Sequence, residues 1–525
     1  MNSKPDRLID SLKNPAVWPD RPEQVECIET HISWVFLTRD FAWKIKKPVS
    51  FEFLDFSTLD LRKHFCEEEL RLNRRTAPDL YLDVVPICGS ASSPEIGGTV
   101  EPFEFAVKMR RFDDTGLLSH VAADKQLTPA LIDDLAEIIA AFHVTIPIAH
   151  SASRFGRPED IRRAALENFV AIEELASGDT GHESAVRELH TWTIAEADRL
   201  EATFEMRRAD GFVRECHGDL HLRNIFVIDG RPCLFDCLEF KEEFRWIDVI
   251  SEVAFLVMDL EEHGEQRLAR RLLNRYLERT DDYAGLDVLR FYLVYRAMVR
   301  AKVDMIRIRD RSQTAAQRRV LTHEFGGYLS IADHDAETAA PALLIMHGLS
   351  GSGKTSVSQQ ILENSSAIRI RSDVERKRII GIDETSRVTG SEAANLYSPE
   401  TTRQTYRHLE ALAESVIESR FPVIVDATFL LPEERATFRS LAERLGVPFR
   451  IIACTAPEAE LLDRVSMREA DNRDASDAGI EVLHQQLAAD TGINGEPASQ
   501  LITIDTTDDA AITAAINGIC QLTQT

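Results

Sequence analysis

The sequence predicts two folded parts in series, an α+β domain of two lobes and then an α/β domain built on a parallel sheet. Three observations carry that expectation. Residues 217–236, HGDLHLRNIFVIDGRPCLFD, hold H-x-D-x-x-x-x-N, an apolar run, an Asp229-Gly230 turn signal and a second apolar run ending in Asp236. That is the pattern of a polar loop feeding a tight hairpin. ALLIMHGLSGSGKTSVSQQIL sets G-x-x-x-x-G-K-T, from Gly348 to Thr355, between an apolar strand and a helix, the order a phosphate-cradling loop requires. Between the two, IADHDAETAAP (Ile331 to Pro341) is polar, alanine-rich and ends in proline, which suits a domain boundary.

Bulk properties narrow the field. At 525 residues the chain is long enough for about two to four domains. Its 87 acidic against 61 basic residues leave a formal net charge of -26. Such a surface repels polyanions, which argues against nucleic acid or an anionic membrane as a partner. The start, MNSKPDRLIDSLKNP, has no apolar signal core, and no apolar run reaches bilayer length without charges, so a cytoplasmic protein is expected. The eight cysteines are scattered, as reduced thiols are. Cys216, His217, His221, Cys233 and Cys237 gather in sequence, but their spacings match no common zinc module.

Taken in order, residues 26–47 read as two antiparallel strands around Thr38-Arg39-Asp40, the second carrying FAWK. Lys44 ends that tetrapeptide; Lys46 shares its strand face and Lys47 follows, so Lys44 or Lys46 is the lysine for phosphate. LDLRKHFCEEELRLNRRTAP is helical up to Pro78 and offers Glu69 as a partner for that lysine, with Glu67 and Glu68 competing. A Gly/Ser/Pro-rich loop (Gly89 to Gly98) precedes the strand FEFAVKMRRF, where Met109 to Phe112 would cover a flat base. From Asp113 to about Arg214 the pattern is helical; one helix is opened by Thr128-Pro129 and closed before Pro147, and His143 on its apolar face reads as a core histidine. Asp248 and the helix after it would buttress the 217–224 loop. Tyr292, Tyr295, Arg296 and Arg300 recur at helical spacing and suit either an acceptor pocket or a packed helix.

On FAWK, HGDLHLRN and LFD, residues 25 to 330 resemble the aminoglycoside phosphotransferase and choline kinase branch of the protein-kinase-like fold. The resemblance implies Asp219 as base toward an acceptor hydroxyl, Asn224 and Asp236 as magnesium ligands, and Lys44 with Glu69 at the ATP phosphates. No G-x-G-x-x-G loop lies between the first strands, which argues against a protein kinase more than against phosphoryl transfer. The expected domain spans 1–335, with a small lobe over 25–112 and a large lobe over 113–330, and the second spans 336–525.

In the second domain the loop residues Gly348, Ser350, Gly351, Ser352 and Gly353 let backbone N–H groups wrap phosphates, Lys354 reaches the β/γ oxygens and the Thr355 hydroxyl meets magnesium. SAIRIRSDVERKRI is a strand leading to Asp373 and Arg376; FPVIVDATFLLPEER is another, ending at Asp426. Arg464 and Arg468 stand four apart on one helix face, with Arg473 beyond. The stretch 381–403 is a candidate acceptor loop, with Arg403 as a ligand. Residues 341 to about 505 resemble the zeta-toxin and polynucleotide-kinase group, chiefly on D-x-x-R at Asp373 to Arg376. That resemblance implies Asp373 as acceptor base, Asp426 as a metal-side or structural acid, and Arg376, Arg464 and Arg468 stabilising transferred charge.

The expectation is therefore a bifunctional ATP-dependent kinase with two Mg-ATP sites acting on small hydroxylated acceptors. Two alternatives remain: a regulator in which one domain senses ATP and gates the other, and a P-loop domain that phosphorylates nucleic-acid ends or nucleotide sugars. No motif encodes the acceptor or the oligomeric state.

Overall fold

The computed structural model describes residues 4–524 other than 52–53, 151, 176–181, 311–312, 338–339, 384–385, 387, 389–395, 472–478, 491 and 494. The chain divides into two compact units, 1–265 with 295–331, and 266–294 with 332–525. The division falls inside two helices, Leu286–Arg309 between Val294 and Tyr295, and Ala315–Ala336 between Ile331 and Ala332. These compact units group 266–294 with 332–525, whereas the expected domains are 1–335 and 336–525.

The first unit opens with a six-stranded antiparallel sheet in the order Glu26–Glu29, Ser33–Leu37, Phe41–Lys46, Glu104–Arg110, Tyr81–Ser90, Ser93–Ile96. Side chains alternate across a strand, and Phe41–Lys46 uses this to serve two cores. Trp43 and Ile45 join Leu8, Leu12, Trp18 and Phe36 on one face. Ala42 meets Cys66 of the helix Leu59–Asn73 on the other, so Lys44 and Lys46 project toward that helix. The helix starts where the Thr58 hydroxyl accepts the Leu61 N–H. Farther on, Ile225–Ile228 and Arg231–Leu234 pair antiparallel around Asp229 and Gly230, the hairpin read from sequence.

The second unit holds a five-stranded parallel sheet, ordered Ile368–Arg371, Val423–Asp426, Leu343–His347, Phe449–Thr455, Leu501–Asp505. The central strand Leu343–His347 is buried at every residue, as a strand covered on both faces must be. Helices Lys354–Asn364 and Asp509–Gln524 pack on the sheet through Val357, Ile361, Ile516 and Ile519. The edge strand is met by helix Gln266–Thr280, whose Asn274 Oδ1 accepts the Arg369 N–H at 2.8 Å. Thus the fold is a kinase-like α+β part followed by a P-loop kinase-like part with a parallel sheet. Among the described residues no helix is long and apolar enough to cross a membrane.

Candidate active sites

In the first unit the strand, the helix and the hairpin deliver their charges to one place. Lys44 Nζ lies 2.7 Å from Asp236 Oδ1 and 2.9 Å from Glu69 Oε1. Glu69 Oε2 is 2.6 Å from Lys46 Nζ, and Lys46 also contacts Glu239 Oε1. Between the two candidate lysines, exposure separates the roles: Lys44 keeps 14% of its side chain accessible and Lys46 none. Burial works against the charge on Lys44, but Asp236 and Glu69 outweigh it and hold the ammonium well above its ordinary value. Glu69 is likewise opposed by burial, and Lys44 and Lys46 keep its carboxyl below the usual range.

Asp219 sits on the loop before the hairpin, its side chain 40% exposed and its Oδ2 3.4 Å from His221 Nε2. The Asn224 amide donates to Asp219 O at 2.9 Å and Oδ2 at 3.0 Å. This leaves the amide oxygen of Asn224 unused by that pair. Burial would raise the Asp219 carboxyl, but His221, His217 and Arg300 reverse this and hold it well below the carboxylate range. Burial lowers the His217 imidazole, whose Nε2 meets Phe235 O at 2.8 Å.

The loop is fixed from two sides. Gly218 takes φ +89°, and a Cβ there would lie 2.8 Å from Phe244 O, so no larger residue fits. Its N–H donates to Glu252 Oε1 at 2.7 Å, and Glu252 Oε2 meets His143 Nε2 at 2.9 Å. Leu222 N–H donates to Asp259 Oδ2 at 2.8 Å. From the other side, Asn73 Oδ1 accepts the Cys237 N–H at 2.9 Å, and Arg75 donates to Cys216 O at 3.1 Å. The helix that carries Glu69 is thus pinned to the loop that carries Asp219.

In the second unit a cavity of about 260 Å³ opens at the carboxyl ends of the parallel strands. Ser350, Gly351, Gly353, Lys354 and Thr355 line it, with Asp373, Arg376, Asp426, Arg464 and Arg468. Gly348 and Ser352 shape the loop from behind: Gly348 has φ +144° with its Cβ position 2.5 Å from Cys454 O, and Ser352 is buried. Lys354 Nζ donates to Leu349 O at 2.8 Å, and burial lowers its pKa despite Asp426. Asp426 Oδ2 accepts from Ser358 Oγ at 2.9 Å. Arg376 is 8% exposed, its guanidinium 4.9 Å from the centre of the Tyr397 ring and its Nε buried without a hydrogen bond among the described residues. Arg464 donates to Gly351 O, Thr506 Oγ1 and Thr506 O at 3.3, 2.9 and 3.1 Å, so it braces the loop as well as facing the cavity.

The family model described as Phosphotransferase enzyme family matches residues 64–292. The one described as AAA domain matches residues 343–491. The chain is also 31% identical over 473 residues to Uncharacterized protein Rv2004c of Mycobacterium tuberculosis, a match spanning 89% of this chain and 91% of that one. It belongs to that family. Uncharacterized protein Mb2027c of Mycobacterium bovis matches with the same identity and coverage. Similar solved structures include choline kinase from Cryptosporidium parvum, 12% identical over 62% of this chain and 95% of that one, with a TM-score of 0.38. A gluconokinase from Sinorhizobium meliloti is 20% identical over 34% of this chain and 94% of that one, with a TM-score of 0.25. Both matched domains are kinase-like, which supports a phosphotransferase function.

In this kinase-like fusion several contacts escape a reading by motif. Of the expected buttress, Asp248 and the helix after it, the helix Val249–Glu262 meets the 217–224 loop, while the Asp248 carboxylate pairs with Arg207 at 2.7 and 2.9 Å and caps that helix through Ile250 N–H. Glu252, one turn on, reaches the loop. The signal for it was present, since Glu252 and Asp259 interrupt an apolar helix at i and i+7 and buried charges there need partners. Asn274 and Glu278 gave no such signal; Glu278 lies 3.4 Å from Arg369 and 3.8 Å from Arg371. Arg403 pairs with its helix neighbour Glu400. Arg296 donates to Ser251 O at 3.1 Å and Arg300 to the Tyr328 hydroxyl at 3.3 Å. Arg473 and part of the 381–403 stretch lie outside the described residues.

Proposed function

We propose that the chain is a bifunctional ATP-dependent phosphotransferase in which each unit moves a γ-phosphoryl group to a hydroxyl of a small-molecule acceptor. The observation that carries this reading is the meeting of Lys44, Glu69 and Asp236, set by 2.7 and 2.9 Å contacts, in the same unit as an Asp219 held anionic by its neighbours. An anionic carboxylate accepts the acceptor hydroxyl's proton as attack proceeds. Lys44 has the charge and the access to meet ATP phosphates, whereas Lys46 has the charge alone.

The donor sets fit magnesium. Asn224 and Asp236 in the first unit, and Thr355 and Asp426 in the second, offer only oxygen, the ligand that hard divalent cations take. Mg2+ bound there would neutralise phosphate charge during transfer. In the second unit Asp373, Lys354, Arg376 and Arg468 line the cavity; Asp373 would act as base toward the acceptor, and the three cations would supply fixed positive charge to phosphoryl oxygens. Arg464 supports that set through Gly351 O.

The test is a transfer screen with labelled ATP against a metabolite extract, each product identified by mass. Asp219→Asn and Lys354→Ala are expected to remove different phosphorylated products. If either variant leaves every product at its parent level, the two-site reading fails for that unit.

A further inference from the structure

Beneath Lys44 on the same strand face stands a second lysine to which the phosphoryl-transfer reading gives no task. Lys46 has no accessible side-chain surface, yet it is an ion-pair partner of Glu69 Oε2 at 2.6 Å and of Glu239 Oε1. Glu239 follows Asp236 by three residues on the segment leaving the hairpin. Charges therefore alternate along one line, Asp236, Lys44, Glu69, Lys46, Glu239, drawn from the strand, the helix and the post-hairpin segment.

The two ends of that line differ. Asp236 is 44% exposed and Lys44 14%, whereas Lys46 and Glu69 are at 0% and Glu239 at 5%. The exposed end must open for a nucleotide, because Lys44 and Asp236 cannot stay paired while one meets phosphates and the other a cation. The buried end need not change. With Oε2 held by Lys46, Glu69 offers Lys44 a single oxygen. Without Lys46, the second oxygen would be buried with no partner and would turn to grip Lys44 with both, drawing the ammonium away from the phosphates.

We infer that Lys46 and Glu239 are positioning residues for the ATP site of the first unit, a buried node that keeps Glu69 in place while Lys44 exchanges Asp236 for phosphate oxygens. The inference rests on the phosphotransferase reading of this site. Its mark is nucleotide affinity, because neither residue reaches the reacting atoms.

The measurement is Mg-ATP affinity and the turnover of a first-site product in the full-length chain carrying Lys354→Ala, with thermal midpoint read in parallel. Removing one partner strands a buried charge, whereas a matched apolar pair does not, so the deciding variant is Lys46→Met with Glu239→Leu. Its midpoint should stay near the parent's while the Mg-ATP dissociation constant rises at least tenfold and kcat at saturating ATP stays within about threefold. A pair that only packs would leave that double variant with parent affinity, which overturns the inference. Should the double variant not fold, Glu239→Gln decides in the same way: tenfold weaker binding supports the node, and parent affinity overturns it. Lys44→Ala separates the two levels. If it too binds Mg-ATP at parent affinity, the reading of the site falls; if it loses affinity while the Lys46 and Glu239 variants do not, only the node falls.

Discussion

Lys44 Nζ stands 2.7 Å from Asp236 Oδ1, bridging a strand of the small lobe and the end of the hairpin. A charge-assisted contact of this kind is worth about 1.5–3 kcal/mol. When phosphates replace Asp236 as the partner of Lys44, the same order of energy passes to the nucleotide. Lys44→Ala should therefore raise the KM for ATP at the first site roughly 10–100-fold, at about 1.4 kcal/mol per decade. The check is KM measured in the chain carrying Lys354→Ala. An unchanged value would remove Lys44 as the phosphate lysine.

Asp219 makes a prediction about pH. Its carboxyl lies well below the ordinary value of 3.8 because His221, His217 and Arg300 outweigh burial. A depressed carboxyl is ionised at every pH above its ordinary value, so loss of first-site activity between pH 5 and 8 should not be its titration. His221→Gln removes the largest opposing influence, and the Asp219 inflection should then move upward. A profile of kcat/KM from pH 4 to 8 for parent and variant decides, and an acid limb that moves downward in the variant would contradict the assignment of Asp219 as base.

The loop under Asp219 depends on Glu252, which bonds Gly218 N–H at 2.7 Å and His143 at 2.9 Å. Burial raises its carboxyl, but His143, His217 and the Gly218 N–H bring it down from 4.5 to about 2. A folded value below the unfolded one contributes stability that is complete above pH 4.5 and is lost as pH falls toward 2. The size is roughly 3 kcal/mol. Glu252→Gln should be less stable than parent at pH 7, and the gap should shrink between pH 5 and 3. Denaturant midpoints across that range provide the test, and a gap independent of pH would sink it.

The residues of the two candidate sites were legible because their spacing is local. H-x-D-x-x-x-x-N with its hairpin, and G-x-x-x-x-G-K-T between strand and helix, set each group within a few residues of its neighbours, and backbone geometry does the rest. Glu69 could be singled out from Glu67 and Glu68 only loosely; the structure distinguishes it by burying it against both lysines. The FAWK match points to Lys44, but Lys46 shares its strand face, and tertiary burial is what separates the two. The same holds for the segment 266–294, whose place in the second unit rests on partners about 90 residues away, such as Asn274 with Arg369.

At the P-loop, the expected consequence is steric. A methyl group at Gly348 would stand 2.5 Å from the backbone oxygen of Cys454, a contact that neither backbone can relieve without moving the loop. Gly348→Ala should abolish Mg-ATP binding at the second site while leaving the first site at parent affinity. Binding stoichiometry should fall from two nucleotides per chain to one, and a retained value of two would place the loop elsewhere in function.

Glu278 supplies the strongest test of how the second unit is built. It is 2% exposed and faces Arg369 at 3.4 Å and Arg371 at 3.8 Å, with Arg275 at 3.1 Å. Arg371 lines the cavity beside Asp373, and Arg369 Nη1 reaches Ser358 Oγ at 3.4 Å, the hydroxyl that bonds Asp426. One carboxylate from a helix before the P-loop thus offsets two guanidinium groups that flank the site's acids. Removing it takes the nearest carboxylate away from buried positive charge, and breaking a buried pair typically costs about 3–5 kcal/mol. Glu278→Gln should lower the thermal midpoint of the second unit and weaken P-loop transfer at least tenfold, with Glu278→Asp recovering part of each. A fragment of residues 336–525 lacks Asn274 and Glu278 together and should be less stable than one that also carries 266–294. Equal midpoints for the two fragments would show that the P-loop unit stands without this helix, and the assigned role of Glu278 would fall with that result.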